Sequence, residues 1–141
     1  MRYLGLDLGT KTLGVAITDK TCTIARFLKV IRFQSEDYEF AANELIKLIK
    51  EYEITTIALG LPKNMNNSYG YASKRSLKFK ELLEKKTDIQ IVLIDERLTT
   101  IEAENLLISA DISRKKRKKV IDGLAAEIIL DTFLKMEVPH E

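Results

Sequence analysis

Asp7 stands in an apolar stretch, residues 4–9, where a carboxylate has little structural reason to be. A charged group inside a central strand is unfavourable unless it is paired, hydrogen-bonded or bound to a metal, and aspartate is a poor strand former. Gly5 and Gly9 flank it on the same face by strand alternation, which leaves room for a ligand or for backbone. The structural alternative is a carboxylate that bonds to the turn at Gly9.

Asp95 and Glu96 follow a second apolar run, residues 89–94. This run predicts a buried strand, and ligands in open α/β sheets gather at the carboxyl ends of the strands. The next residue, Arg97, offers a structural alternative, an ion pair that ends the strand. Two adjacent acids need not share a role, and the residues alone do not say which of them faces a site.

Asp122 lies early in a predicted last helix, residues 120–135. The predicted apolar stripe of this helix consists of Ile121, Ala125, Ile128, Ile129, Thr132 and Phe133. At 100° per residue, Asp122 lies about 20° from Ile129, so it projects from the buried face, whereas Glu127 and Asp131 fall on the solvated side. A buried acid requires a compensating cation or donors. The alternative is a plain helix N-cap.

Three acids from distant segments suit a hard divalent cation, because Mg²⁺ and Mn²⁺ prefer oxygen ligands. The single cysteine, Cys22, and the near-terminal His140 provide no His/Cys cluster that would favour zinc. In two-metal hydrolysis, one ion activates water and the other stabilises the leaving oxygen of a phosphodiester. The acids therefore predict metal-dependent chemistry on nucleic acid.

Residues 114–119 form a block of six consecutive cations: Arg114, Lys115, Lys116, Arg117, Lys118 and Lys119. The net charge is only +2, so acidic residues outnumber basic ones in the rest of the chain. Such a block repels itself and is expected to be a mobile or solvated segment until a polyanion neutralises it. Two interpretations stay open, a lysine-rich surface loop and a nucleic-acid contact.

The elements that position these residues follow from hydrophobic periodicity in a 141-residue chain, a length that predicts one domain over 1–141. Apolar runs at 2–9, 12–19 and 23–33 predict an antiparallel meander. The remaining pattern predicts helices and strands alternately, at 37–52, 55–60, 72–86, 89–94, from Thr99 or Thr100 to Ala110, and at 120–135. The order βββαβαβαα predicts an α/β fold in which the later strands are parallel and helices cover both faces of the sheet.

The sequence also predicts the cellular compartment of the protein. No apolar stretch approaches the roughly 20 residues that cross a bilayer. Asp7 interrupts any signal-peptide apolar region almost at once. We therefore expect a cytoplasmic protein that does not contact membranes.

Four segments resemble motifs of the YqgF (RuvX) family, described as Holliday junction resolvases and as nucleases of ribosomal RNA precursors. Segment 7–16, DLGTKTLGVA, resembles the family's opening motif, and segment 60–65, GLPKNM, resembles its Gly-Leu-Pro-x-Asn-Met loop. Segment 95–100, DERLTT, resembles its Asp-Glu-Arg motif, and 122–130 resembles its last-helix motif. The motifs occur in the family's order almost from end to end. One departure is Asn66-Asn67, where Asp-Gly is usual.

This resemblance implies an RNase H-like fold with a five-stranded mixed sheet, and Mg²⁺ or Mn²⁺ held by Asp7, Glu96 and Asp122. It thereby favours Glu96 over Asp95. The implied task is trimming the 5′ end of the small-subunit ribosomal RNA precursor, with ribosomal particles as possible partners, and cleavage of four-way DNA junctions is the alternative. A monomer and a homodimer are both compatible with the sequence. The expected nucleic-acid contacts are Lys11, Lys63, Asn64, Arg97 and residues 114–119.

Two other classes of function compete with a nuclease. The opening motif also resembles the first phosphate loop of sugar kinases and actin-like ATPases, but those proteins close two such domains over a nucleotide and would leave Glu96 and Asp122 without a role. A non-catalytic RNA-binding module would need the cations of 114–119 and not the acids. The sequence favours the nuclease.

Overall fold

The computed structural model describes residues 2–62, 70–95 and 114–137, without the side chains of 114–122 and 137. Within these ranges, one sheet contains strands β1 (Arg2–Leu8), β2 (Thr12–Thr18), β3 (Ala25–Arg32), β4 (Ile54–Leu61) and β5 (Gln90–Asp95). The strand order is β3-β2-β1-β4-β5. The first three strands pair antiparallel, whereas β1, β4 and β5 are parallel neighbours. The predicted mixed sheet, a meander followed by parallel strands, is confirmed.

Three helices lie within the described ranges, α1 (Tyr38–Glu51), α2 (Tyr71–Glu84) and α3 (Arg114–Glu137). Helix α1 begins after Asp37, whose Oδ1 accepts the backbone N–H of Phe40 and so caps the helix. Helices α1 and α2 pack on one face of the sheet and α3 packs on the other. This confirms helices on both faces. The predicted helix ending at Ala110 lies outside the described residues.

Helix α3 begins earlier than predicted. Its backbone is helical from Arg114, so the predicted start of the helix at about Val120 was wrong. Lysine and arginine are strong helix formers. The helical screw also turns successive residues by 100°, so consecutive cations are distributed around the axis. The charge run therefore extends the helix instead of preceding it.

The core has two layers because the strands alternate. Leu4, Leu6 and Leu8 point into the layer covered by α1 and α2. The second layer, under α3, consists of Ala16, Ala58, Ile94, Ala126, Ile129, Leu130 and Phe133. Small residues on the sheet side of this layer let α3 approach closely, so the position of α3 is set by direct packing on the strands.

Gly5 is the point of closest approach between α3 and β1. A Cβ atom added there would lie 2.6 Å from the carbonyl oxygen of Ala126 and 2.6 Å from Cβ of Leu130. The expectation that glycine leaves room for backbone beside Asp7 is therefore confirmed at Gly5. Gly9 instead lies in the turn after β1, where an added Cβ would contact Thr12.

The buried stripe of α3 is rotated relative to the predicted one. Its buried members are Ala125, Ala126, Ile129, Leu130, Phe133 and Leu134, whereas Ile128 and Thr132 are only partly buried. Glu127, predicted on the solvated side, is half-buried and accepts the backbone N–H of Phe27.

Among the helices of the described ranges, none has both the length and the apolar character needed to cross a membrane.

Candidate active site

Asp7 is next to the last residue of β1 and lies on the α3 face of the sheet. Tyr3 contacts Phe133 edge to face at a ring distance of 5.5 Å, and Gly5 lies against α3. By strand alternation, Asp7 shares the face of Tyr3 and Gly5. Its side chain is half-buried. The acid is thus at the sheet–helix boundary and not in the core.

Glycine neighbours Asp7 on both sides across the sheet. Asp7 pairs with Gly14 of β2, and continuing the parallel register of β1 and β4 places Gly60 on its other side. With Gly5 before it on the same face of its own strand, the carboxylate is surrounded by positions that carry no side chain. We call Gly5, Gly14 and Gly60 the glycine floor. These glycines place no side chain beside the carboxylate, although all three are buried and Gly5 is covered by α3.

The turn that follows Asp7 is fixed by backbone hydrogen bonds. The Gly9 N–H donates to the Thr12 carbonyl at 2.8 Å, which closes the turn itself. The carbonyls of Thr10 and Lys11 accept the N–H groups of Glu36 and Phe33, at 2.8 and 3.0 Å. These bonds join the turn to the segment after β3. Lys11, which is exposed, is therefore held on ordered backbone close to Asp7.

The carboxyl ends of β1, β4 and β5 meet at one edge of the sheet because the three strands are parallel. At the end of β4, the carbonyl of Pro62 accepts a hydrogen bond from the hydroxyl of Ser73, which anchors the end of the strand to α2. Lys63 and Asn64 come next in the chain and lie outside the described residues. The edge that ligands favour in open α/β sheets is thus the edge that carries Asp7.

The register of β5 separates the two acids at its end. Ile94 pairs with Gly60, so it lies on the face of Asp7, and it belongs to the layer under α3. Asp95 is exposed, pairs with Leu61 and lies on the opposite face. Glu96 and Arg97 lie outside the described residues. The described part of β5 therefore places Asp95 away from the Asp7 face.

Helix α3 runs antiparallel to β1, because Tyr3 meets Phe133 while Gly5 meets Ala126 and Leu130. Residue 122 is one turn before Ala126, a rise of about 6 Å. Asp7 is two residues beyond Gly5, a rise of about 6.6 Å. The two steps are similar in length, so the antiparallel course of α3 carries its chain toward the Asp7 end of β1 as it approaches position 122. Position 122 also lies about 30° from the centre of the buried stripe.

The carboxylate set proposed from the sequence fits a hard cation by its donor chemistry, since it offers only oxygen ligands. Among the described side chains, no three His, Cys, Asp or Glu residues form a group that could hold a metal. Of the proposed ligands, only Asp7 has a described side chain. The complete site of Asp7, Glu96 and Asp122 therefore stays a prediction.

Glu127 is the acid of α3 whose protonation the surroundings change. Burial raises its pKa above the ordinary value, and the nearby Asp131 acts in the same direction. The N–H of Phe27 and the charge of Arg26 act in the opposite direction. Because burial is the largest of these effects, folding shifts the protonation equilibrium of Glu127 toward the neutral acid.

Sequence reasoning did not identify Gly14 and Gly60 as neighbours of Asp7, although both lie in the quoted motifs 7–16 and 60–65. The motifs and the apolar runs showed the glycines, but they did not say which residue each glycine would face. Arg32 was also missed. It ends β3 on the face of Asp7, because Val30 pairs with Gly14 and Gly14 pairs with Asp7.

Residues 1–136 match the family model described as "RuvX: Holliday junction resolvase". The chain belongs to the RuvX family. That description is of a nuclease, a hydrolase of phosphodiester bonds. Membership confirms the resemblance drawn from the motifs and accounts for the opening motif without the sugar-kinase or actin-like alternative.

Other RuvX-like proteins resemble this chain over nearly its whole length. A protein of Geobacillus sp. (strain WCH70) is 48% identical over 134 residues, which cover 95% of this chain and 97% of the relative. A protein of Bacillus licheniformis is 49% identical, with coverages of 95% and 96%. Both are named "Putative pre-16S rRNA nuclease".

Solved structures of resolvases share the fold of this RuvX protein. The Thermus thermophilus RuvC in complex with a Holliday junction substrate superposes with a TM-score of 0.62 at 14% identity, and each chain is covered to 96%. The fowlpox virus Holliday junction resolvase gives a TM-score of 0.55 at 15% identity, with coverages of 96% and 99%. These similarities confirm the RNase H-like fold.

Proposed function

We propose that this RuvX protein is a metal-dependent endonuclease that trims the 5′ end of the small-subunit ribosomal RNA precursor. The observation that carries the proposal is the placement of Asp7 on the glycine floor, at the edge where β4 and β5 also end. The names of the relatives support the choice of substrate. Binding to ribosomal particles and a cytoplasmic location follow from this substrate as predictions.

Asp7, Glu96 and Asp122 would hold Mg²⁺ or Mn²⁺. When bound, such an ion supplies an activated water and stabilisation of the leaving oxygen. The chain contributes the position of the ligands: Asp7 on a central strand, and residue 122 on a helix packed against that strand through Gly5. Rigid elements hold catalytic groups more accurately than loops do, and this accuracy determines the rate.

The glycine floor puts no side chain beside Asp7. A phosphodiester is bulky and carries a sugar on each side, so side chains on the neighbouring strands would keep it from the carboxylate. Gly14 and Gly60 carry no such side chain on either side of Asp7. A carboxylate that served only as a structural cap would not require glycine at both neighbouring positions. This geometry favours a binding role for Asp7 over the structural alternative.

Glu96 is the acid that we propose as the ligand from the end of β5. Asp95 lies on the face of the sheet opposite to Asp7, so it is poorly placed to share a ligand set with Asp7. This observation is independent of the family motif, and together they favour Glu96, the other acid of the pair.

Cations next to the proposed site would bind the phosphate backbone. Lys11 is exposed and is held by ordered backbone close to Asp7. We further propose Lys63, Asn64 and Arg97, which follow the ends of β4 and β5, together with residues 114–119, which form the first turns of α3. Phosphate contacts fix the position of a strand without reading its sequence.

Cleavage of four-way DNA junctions is a second candidate, favoured by the family description and by the fold shared with RuvC. The test incubates the purified protein with a transcribed small-subunit ribosomal RNA precursor and with a synthetic four-way DNA junction, each with Mg²⁺ or Mn²⁺. We expect the RNA to be cut at the mature 5′ end and the junction to stay intact. Symmetric cleavage of the junction with uncut RNA would replace the first candidate by the second.

A further inference from the structure

An open groove of about 370 Å³ lies between the end of β3 and the start of α1. Its lining combines two aromatic rings, a guanidinium, an amide and a carboxylate, from Arg32, Phe33, Gln34, Asp37 and Phe40. Neither the motifs nor the proposed catalytic chemistry uses any of these residues. The volume is in the range of small-molecule sites.

The groove is at the same end of the strands as Asp7, with Arg32 on the face of Asp7 and the α1 wall on the opposite face of the sheet. Strand β3 runs parallel to β1, because each is antiparallel to β2. Two strand spacings and two residues along the strand separate the Cα atoms of Arg32 and Asp7, which corresponds to about 12 Å. A stacked strand rises about 3.4 Å per nucleotide. A nucleic acid cut at Asp7 would therefore reach Arg32 within about three or four nucleotides, and would pass the end of β3 to reach the rings.

The walls of the groove match the parts of a nucleotide. Phe40 is 45% exposed although it is a large apolar residue, which makes its ring available for stacking. Phe33 is partly buried and contacts Tyr38 edge to face at 5.8 Å, so it forms a fixed wall. Arg32 is exposed and offers a cation to a phosphate. A purely apolar ligand would not use the guanidinium, amide and carboxylate of this groove.

The floor of the groove is ordered by its own hydrogen bonds. The N–H of Asp37 donates to the carbonyl of Gln34 at 2.9 Å, and Oδ1 of Asp37 accepts the N–H of Phe40. The bonds from Phe33 and Glu36 to the β1–β2 turn join the same segment to the active-site edge. A preformed groove loses little conformational entropy when it binds a ligand.

We propose that this groove binds one unpaired nucleobase of the substrate strand, stacked on Phe40, with a neighbouring phosphate on Arg32. The inference rests on the proposed nuclease function, since the substrate strand is what brings the base to the groove. Gln34 and the second carboxylate oxygen of Asp37 are placed to bond the edge of the base. The groove thereby selects substrates that are single-stranded a few nucleotides from the cleavage site.

The test uses single-stranded RNA oligonucleotides that carry one 2-aminopurine at successive positions, with the full-length protein in EDTA so that cleavage does not contribute. Stacking on an aromatic ring quenches 2-aminopurine. We expect one position to be quenched by the wild type, and Phe40→Ala to abolish this quench and weaken binding about 5- to 100-fold. An abasic residue at that position should make the wild type and Phe40→Ala bind equally.

Ile24→Ala is the control, because Ile24 is an apolar residue with 63% exposure in the β2–β3 connection at the opposite edge of the sheet, and binding should not change. Phe40→Leu keeps an apolar side chain on α1 and removes only the ring, so it replaces Phe40→Ala if that variant fails to fold. Equal quench and affinity in the Phe40 variant and the wild type would overturn the inference. So would a wild type that quenches no position.

Cleavage of the ribosomal RNA precursor, measured separately with Mg²⁺, distinguishes this inference from the proposed function. A quench that depends on Phe40 without any cleavage supports the groove and contradicts the nuclease assignment. Cleavage without a quench supports the nuclease assignment and contradicts the nucleobase groove. Loss of a concentration-dependent dimer in Phe40→Ala, with no change in RNA binding, would identify the groove as a contact between copies of this chain and overturn the inference.

Discussion

Replacing Gly5 by alanine tests how α3 is positioned over the sheet. The added Cβ would lie 2.6 Å from the carbonyl oxygen of Ala126 and 2.6 Å from Cβ of Leu130. Both atoms are fixed by the helix backbone, so rotation of a side chain cannot relieve the clash. Ordinary contact begins at 3.4 Å, so α3 must move away from β1 by about 0.8 Å.

The expected loss follows from this displacement. Overpacking of a well-packed layer costs about 1–3 kcal/mol. For a domain of this size, each kcal/mol lowers the melting temperature by roughly 3 °C, so Gly5→Ala should melt about 3–10 °C below the wild type. The same shift moves residue 122 relative to Asp7. A misplacement near 1 Å can slow a reaction about 100-fold, so Gly5→Ala should have a lower cleavage rate as well as a lower melting temperature.

Gly123→Ala is the matched control on the facing helix. Its added Cβ would lie 2.7 Å from Cδ1 of Phe27, but that ring is 47% exposed and can turn away. Alanine in place of glycine also favours a helix by about 1 kcal/mol. Thermal unfolding followed by circular dichroism should therefore show Gly123→Ala melting at or above the wild-type temperature. If Gly5→Ala melts like the wild type, α3 is not seated on β1 as described. If Gly123→Ala loses as much stability as Gly5→Ala, the Phe27 ring cannot turn away as we expect.

Three further predictions concern charge. Changing residues 114–119 to glutamine should weaken nucleic-acid binding and make it depend less on salt. We expect about three phosphate contacts, because a helix turns only part of such a run toward one side. The slope of the logarithm of the binding constant against the logarithm of the salt concentration should then shrink by about 2.7 for a duplex or 2.1 for a single strand. An unchanged slope would make the run a solvated helix end. Glu127→Gln should raise the melting temperature at neutral pH, since burial raises the pKa of Glu127 and the folded state disfavours its ionised form. This gain in melting temperature should vanish as the pH falls below the ordinary pKa of 4.5, where the carboxyl is protonated in both states. A gain that persists in acid would contradict this cause. Asp95→Asn should retain cleavage, whereas Glu96→Gln should lose about 100-fold or more; the reverse order would exchange their roles.

The strands and the first two helices could be predicted from the sequence because their apolar residues follow the two regular periods, 2 and 3.6. The start of α3 could not. The run 114–119 has no apolar residue to show a period, and its charge favoured a loop although lysine and arginine are good helix formers. Residues 114–119 are helical because lysine and arginine have high helix propensity and the packed part of α3 follows them directly.

The importance of Asp7 could be predicted because an acid within an apolar run needs an explanation in any fold. Its surroundings could not be predicted, because Gly14 and Gly60 reach Asp7 only through the registers of β2 and β4. Register depends on pairing between distant segments and is not visible in either segment alone. The same holds for Arg32, which reaches the active-site edge through two successive pairings.

The central claim is that Asp7 acts as a metal ligand in phosphodiester cleavage, and one comparison tests it most directly. The rate of precursor RNA cleavage at saturating substrate is measured for the wild type, Asp7→Asn and Asp131→Asn, each with Mg²⁺, with Mn²⁺ and with EDTA. Asp131 is the control because it is a half-exposed acid on α3 that pairs with Lys135 at 3.0 Å, away from the glycine floor. We predict that the wild type and Asp131→Asn cut only with metal, and that Asp7→Asn folds and binds RNA but cuts about 100-fold more slowly or not at all. Wild-type cleavage in EDTA, or an Asp7→Asn variant that cuts at the wild-type rate, would contradict the claim.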